Sequence, residues 1–354
     1  GWRQGRYFRP TQRSEESNQI VPEMINFRFI TNIIGKLLFV ESAFLILCII
    51  VALIYGESDV MAFVYSSIIT LTVGSLMAFS VKVKDRVLAK KDGYFIVTCT
   101  WVIFTIFGCL PYLFGGTIPS IVDAIFETMS GFTTTGSSIL SNVEALPHAT
   151  LFWRSLTQWM GGMGIIVLLL AILPGLGIEG RDLFVAEVPG PTHDKFTATF
   201  TSTARRMWYL YISLTVAQTL LLLLGKMDLF DAICHSFTTM ATGGYSTKQD
   251  SLAYWNSAYI QYVVIIFMFI AGTNFGLMYI AIHGKIKKLF RDEEFKLYFF
   301  IILIASAMIA CVLYFKGYDD LELSIREALF QVVSILTTTG FATADYLLWP
   351  PLLG

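Results

Sequence analysis

Long apolar runs, separated by polar segments that are alternately basic and acidic, organise this chain. A helix needs roughly 20 apolar residues to cross a hydrocarbon core about 30 Å thick. Seven stretches meet that length, at residues 33–55, 60–80, 94–115, 151–173, 207–225, 257–282 and 297–316. The first starts late and lacks a small-residue cleavage site, so it reads as a span and not as a secretory leader. The expected fold class is therefore all-α and integral to a membrane.

The polar segments orient these spans. Residues 81–93 carry Lys82, Lys84, Arg86, Lys90 and Lys91; residues 174–206 carry Arg181, Lys195, Arg205 and Arg206; residues 284–296 carry Lys285, Lys287, Lys288, Arg291 and Lys296. The alternate connections hold only Arg154, Lys226, Lys248, Lys316 and Arg326. An excess of Lys and Arg marks the cytoplasmic side, which places the three basic segments and the N-terminus inside. Acidic residues such as Glu57, Asp59, Asp123, Asp228, Asp231 and Glu322 fall on the outer segments. A net acidic outer face concentrates cations at a pore mouth, although it is also the plain complement of the inward basic bias. Residues 1–23 are polar, carry Arg3, Arg6, Arg9 and Arg13, and read as an extension. Met24 is a candidate start of translation, and a cytoplasmic anchoring arm is the alternative.

Composition narrows the classes. The chain is 55% hydrophobic and 14% charged, where a soluble domain carries about 25% charged residues. Its net charge of −1 lacks the basic excess that phosphate binding requires, so nucleic acid is not an expected partner. Cys48, Cys99, Cys109, Cys234 and Cys311 form no CxxC pair and read as small core hydrophobes. The histidines His148, His193, His235 and His283 show no metal spacing, and His235 reads as packed or solvated.

An internal repeat carries the chemistry. Asp123-Ala-Ile-Phe-Glu-Thr-Met-Ser-Gly-Phe-Thr-Thr-Thr-Gly136, Asp231-Ala-Ile-Cys-His-Ser-Phe-Thr-Thr-Met-Ala-Thr-Gly-Gly244 and Glu327-Ala-Leu-Phe-Gln-Val-Val-Ser-Ile-Leu-Thr-Thr-Thr-Gly340 align without a gap. The unit is span, amphipathic stretch, Thr/Gly turn on the outer side, span. Its middle piece is about 10 to 12 residues, roughly 15 to 18 Å as a helix, which is half a membrane. Irregular backbone at membrane depth is tolerated only where protein buries it or water wets it. A turn there leaves carbonyls without amide partners, and rings of such carbonyls replace the hydration shell of K+. Glycine permits the backbone angles that aim them inward, and threonine adds a hydroxyl acceptor. The half-helix would also turn its partially negative carbonyl end toward the membrane centre. Asp123, Asp231 and Glu327 read as acids at half-helix starts, where the helix dipole favours them. Candidate filter residues are Thr134, Thr135, Gly136, Thr242, Gly243, Gly244, Thr338, Thr339 and Gly340.

The strings Phe132-Thr-Thr-Thr-Gly-Ser137, Met240-Ala-Thr-Gly-Gly-Tyr-Ser246 and Leu336-Thr-Thr-Thr-Gly-Phe-Ala342 resemble the potassium-uptake superfamily of Trk, Ktr and HKT transporters. Gln158-Trp-Met-Gly-Gly-Met-Gly164 and Glu187-Val-Pro-Gly-Pro191 add to the likeness, which is strongest to TrkH-type membrane subunits and spans about residues 24–349. The resemblance implies span, pore-helix, span units around a pseudo-fourfold pore, preceded by an extra helix pair. The matching division is an extension at 1–23, the extra pair with its basic loop at 24–93, pore repeats at 94–206 and 207–296, and a third, incomplete repeat at 297–354. It implies K+ selectivity, since a serine at the first filter glycine accompanies Na+ permeation in some plant members and Gly136 stands here; Rb+ would serve as a surrogate. It further implies a bacterial inner-membrane location, no cofactor, a homodimer, and a TrkA-type cytoplasmic ring of nucleotide-binding domains docking on the inner loops. The family has four filter turns and this sequence has three, so the expectation is a fragment or a pore completed by another chain.

Two other classes compete. A membrane enzyme could use the outer carboxylates as acid and base, but a convergent set of titratable groups is missing from the pattern. A symporter coupled to H+ or Na+ usually carries a charge near the midplane. Here Lys36 and Glu41 are expected near the inner end of the first span, and Arg154 reads as a snorkelling side chain at an outer end. Gly161, Gly162, Gly164, Gly272 and Gly276 read as close-packing positions, with pore hinges as the alternative.

Overall fold

A computed structural model describes residues 27–80, 90–162, 164, 200–316, 320–345 and 349. Met24, the basic segment 81–89, most of 163–199 and the chain end lie outside these residues. The described secondary structure is entirely helical. The long helices are α1 (Phe27–Tyr55), α2 (Val60–Phe79), α3 (Lys90–Gly108), α6 (His148–Gly162), α7 (Phe200–Leu224), α9 (Ala258–Ala271) and α12 (Glu293–Lys316). Between them lie α4 (Leu110–Phe114), α5 (Ile121–Phe132), α8 (Leu229–Met240), α10 (Phe275–Ile280), α11 (Ile286–Leu289) and α13 (Leu321–Leu336). Among the described residues, five helical stretches are long and apolar enough to cross a membrane, and a bent pair makes a sixth. The chain is a multi-pass membrane protein.

One expected span is sharply bent and another locally irregular. The run 94–115 remains one span, Gly93–Phe114, although its helix breaks for a single residue at Cys109 before resuming as the short α4, where Pro111 lacks the amide that would continue the ladder. The run 257–282 bends by 102° between α9 and the segment 275–289. Gly272 ends α9, and the Asn274 side chain accepts from the Gly276 N–H to start α10. The run 151–173 is helical from His148 to Gly162 and then passes out of the described residues.

Apolar side chains face outward on most long helices, as lipid requires. Ile46, Ile50, Leu53 and Ile54 of α1 and Leu297, Phe300, Ile304 and Met308 of α12 are exposed. Cys311 lies on the exposed face of α12, so it is not a core residue, whereas Cys48, Cys109 and Cys234 are buried.

The extra pair, α1 and α2, packs through glycines. A Cβ on Gly35 would lie 2.7 Å from the Gly74 carbonyl oxygen and 2.9 Å from Met77 backbone, and one on Gly74 would lie 3.0 Å from the Gly35 carbonyl oxygen. The crossing therefore brings backbone against backbone, the close approach that small residues allow between membrane helices. Glu41 lies at the middle of α1, not near its inner end, because the helix begins six residues earlier than the apolar run. It is fully buried behind Gly108, whose Cβ position is 3.1 Å from Glu41 Oε1 and 3.0 Å from Thr128 of α5.

The α1–α2 turn caps the start of α6. Glu57 accepts from the backbone N–H groups of His148 and Ala149 at 2.7 and 3.1 Å, placing a carboxylate on the open amides at the start of α6. His148 Nδ1 lies 2.7 Å from the same carboxylate, and the ring stacks on Tyr55. Asp59 accepts from the Thr150 hydroxyl at 3.1 Å, and burial pushes its carboxyl above the ordinary range while that hydrogen bond opposes the shift. Replacing Gly35 with Val should separate α1 from α2 at a cost of about 1–3 kcal/mol, read as a lower melting temperature of the detergent-solubilised protein.

Candidate functional site

Three helices of half-membrane length each end in one of the predicted turns. α5 and α8 are 12 residues long, as expected, and α13 is 16. Each starts on a side-chain cap: Ser120, Asp228 and Asp320 accept from Asp123, Phe230 and Glu322 N–H respectively. Asp123 and Asp231 occupy the first turns of their helices, as the repeat suggests. Glu327 does not, because α13 begins one to two turns earlier; Glu322 is the first-turn acid there.

The turns that follow share one backbone conformation. Thr134, Thr242 and Thr338 have φ of 54°, 51° and 59°, and Gly136, Gly244 and Gly340 have φ of 77°, 75° and 82°. The residues between them, Thr135, Gly243 and Thr339, are absent from the positive-φ set. Residues of positive φ therefore flank one of negative φ three times in register. Two hydrogen bonds recur as well. Thr135, Gly243 and Thr339 N–H each donate at 2.9 Å to the carbonyl five residues back, on Ser130, Thr238 and Ser334. Thr134, Thr242 and Thr338 N–H each donate at 3.0 Å three residues back. These bonds satisfy two of the last carbonyls of each half-helix, which an apolar layer would otherwise leave unpaired.

The turns also touch in chain order. A Cβ on Gly136 would collide with the Gly243 carbonyl oxygen, and one on Gly244 with the Thr339 carbonyl oxygen. Glycine is therefore required twice over at Gly136 and Gly244, by its φ and by the neighbouring turn, and by its φ alone at Gly340. Gly161 and Gly162 likewise abut the ends of α5 and α8, at Phe132 and Ala241, and Gly272 abuts Thr337, which bears out close packing at these three.

Behind the first two turns lies an ion pair that the sequence pattern does not disclose. Arg154 of α6 is buried, not snorkelling: its Nε donates to Glu127 at 2.7 Å, its Nη1 donates to the Ser246 carbonyl at 3.0 Å, and its guanidinium sits 3.6 Å from the centre of the Tyr245 ring. It turns inward because Glu127, on the protein-facing side of α5, is fully buried and requires a cation. Glu127 also accepts from the Ser138 hydroxyl and Ile139 N–H, both at 3.0 Å. The Tyr245 hydroxyl lies 2.9 Å from the Glu127 carbonyl and 3.2 Å from that of Ser137. His235 is fully buried in α8, where its ring nitrogens meet the Asp231 carbonyl and the Ser246 hydroxyl.

Gln158 is the second residue sequence reasoning missed as a site group. It lies one turn beyond Arg154 on α6, is fully buried, and donates from Nε2 to the Gly243 carbonyl at 2.8 Å. Its Oε1 accepts from the Tyr245 N–H at 3.1 Å. The available signal was the pair Arg154 and Gln158 at helical spacing, the two largest polar side chains inside an expected span. Among the described residues no group of three or more His, Cys, Asp or Glu side chains is placed to hold a metal.

Spans around half-length helices that end in matching carbonyl-bearing turns define a membrane protein of the cation-transporting kind. The sequence matches the TrkH family, described as cation transport protein, over residues 59–354. It is 40% identical over 330 residues to the Trk system potassium uptake protein TrkH of Escherichia coli strain K12, covering 92% of this chain and 68% of the relative. It is 38% identical over 332 residues to TrkH of Halomonas elongata, with the same coverage. The fold is similar to the crystal structure of the potassium transporter TrkH from Vibrio parahaemolyticus, with a TM-score of 0.80 and 36% identity over 93% of this chain and 68% of that one. The chain belongs to the TrkH family.

Replacing Arg154 with Met should cost about 3–5 kcal/mol by stranding the buried Glu127 carboxylate. The double variant R154M/E127Q should recover part of that loss, and melting temperatures in detergent compare the two.

Proposed function

We propose that this protein takes up K+ across a bacterial inner membrane, along a path lined by Thr134, Thr135, Gly136, Thr242, Gly243, Gly244, Thr338, Thr339 and Gly340. The observation that supports this reading best is the recurrence of one strained backbone conformation at equivalent positions of three turns. Non-glycine residues with left-handed φ cost of order 1–3 kcal/mol each, persist where the surrounding structure over-determines them, and cluster at functional sites. A dehydrated K+ needs several oxygen ligands at once, and turns in contact offer backbone carbonyls with Thr hydroxyls beside them. The potassium uptake named for the relatives accords with this chemistry.

No organic cofactor is needed, because backbone oxygens supply the ion's ligands and K+ itself is the cargo. The N-terminus and the basic segments face the cytoplasm in this reading, where Lys285, Lys287, Lys288 and Arg291 are available to a cytoplasmic ring of nucleotide-binding domains. The protein works as a pair of identical subunits in the plane of the membrane, with lipid against the exposed apolar faces of α1 and α12.

Gly136→Ser tests the assignment. A β-carbon at φ 77°, set against the Gly243 carbonyl, displaces both turns. The ratio of K+ to Na+ uptake should fall about tenfold, matching strain of roughly 1.4 kcal/mol. Flux measurements that find the ratio unaltered, in a variant present at normal levels in the membrane, refute the filter assignment.

A further inference from the structure

The three turns are braced in two different ways. In turn one the Thr133 and Thr135 hydroxyls lie 2.7 Å apart, and in turn three those of Thr337 and Thr339 lie 2.8 Å apart. Ala241 and Gly243 occupy the same two positions of turn two, so no hydroxyl pair can form there. The amide of Gln158 takes that space. A Cβ on Gly243 would lie 2.5 Å from Gln158 Oε1 and 2.7 Å from Nε2, so any larger residue there would push the Gln158 amide out of this place.

Turn two is thus held from outside, by a residue of the preceding repeat. The clamp grips two points, since Nε2 donates to the Gly243 carbonyl and Oε1 accepts from the Tyr245 N–H, on either side of Gly244. A carbonyl oxygen has two lone pairs, and a donor fixed on one sets the direction of the other. The same oxygen rests against Gly136 of turn one, and Nε2 lies 3.8 Å from where a Gly136 Cβ would stand. Gln158 is itself fixed by its place on α6, one turn from the Arg154 ion pair. Cation preference depends on how many carbonyls converge and how firmly they are held.

We infer that Gln158 is a positioning residue for cation selectivity, holding the carbonyl of Gly243 against the first turn and thereby setting the geometry of two turns at once. This rests on the filter reading above. The substrate class it serves is a dehydrated monovalent cation, and it acts through the backbone without touching the ion.

Two variants of the full-length protein test it, in cells that lack other K+-uptake systems. Gln158→Met keeps the volume and removes both polar atoms; Gln158→Glu keeps an acceptor for Tyr245 and turns an acceptor on the Gly243 carbonyl. Uptake of K+ and Na+ is read with the melting temperature of each purified variant, and Gly136→Ser is run in parallel. The expected result is a fall of about fivefold or more in the K+ to Na+ ratio, the size of one lost hydrogen bond. It should be larger for Gln158→Glu, and Gln158→Met should melt within a few degrees of the parent. An unchanged ratio in both variants overturns the inference, as does a ratio that falls only in step with melting temperature in both. If Gly136→Ser also leaves the ratio unchanged, the filter reading itself fails; if it shifts the ratio while both Gln158 variants do not, only the role of Gln158 is lost.

Discussion

A helix that stops halfway across an apolar layer exposes its last carbonyls where no water can reach them, and each unsatisfied group costs several kcal/mol. Much of the described architecture answers that constraint. The turns after α5, α8 and α13 fold back so that their own amides reach the carbonyls of Ser130, Thr238 and Ser334. Folding back requires left-handed backbone at Thr134, Thr242 and Thr338, which in turn requires rigid surroundings. The surroundings are helix ends packed without Cβ atoms, at Gly161 on Phe132 and Gly162 on Ala241.

The Arg154–Glu127 pair extends the same logic from backbone to charge. A buried pair is weak evidence for stability by itself, since desolvation offsets much of the attraction. What the pair does contribute is connection. Glu127 reaches Ser138 and Ile139, just after turn one, and Arg154 reaches Ser246, just after turn two. The segments leaving two adjacent turns are therefore tied to the two ends of one ion pair between α5 and α6, and neither can shift without disturbing the charge on the other.

The membrane class, most span positions and the three turns were legible because they rest on local rules: apolar length, basic flanks and a repeated Thr/Gly string. Helix breaks at Cys109 and Gly272 were less so, since neither Pro111 nor Asn274 interrupts the apolar run that a span search follows. Side-chain direction was legible least of all. Arg154 near a span end looks free to reach the headgroups, and only the position of Glu127 on another helix turns it inward. Glu327 is out of place for a similar reason: the repeat aligns on its turns, while the third half-helix gains its extra length at the other end. Gln158 stood within a motif already noted, yet its meaning depends on the two residues of turn two that lack hydroxyls, Ala241 and Gly243.

The glycine contact between α1 and α2 has a consequence for biogenesis. Gly35 and Gly74 approach each other within a hairpin whose connection is only the short segment from Gly56 to Asp59. All partners of that contact have been synthesised by the time Phe79 leaves the ribosome. The pair can therefore close as a hairpin before α6 has been made. Its connecting turn carries Glu57, the carboxylate that caps the start of α6, so the acceptor for those amides is in place before they are synthesised.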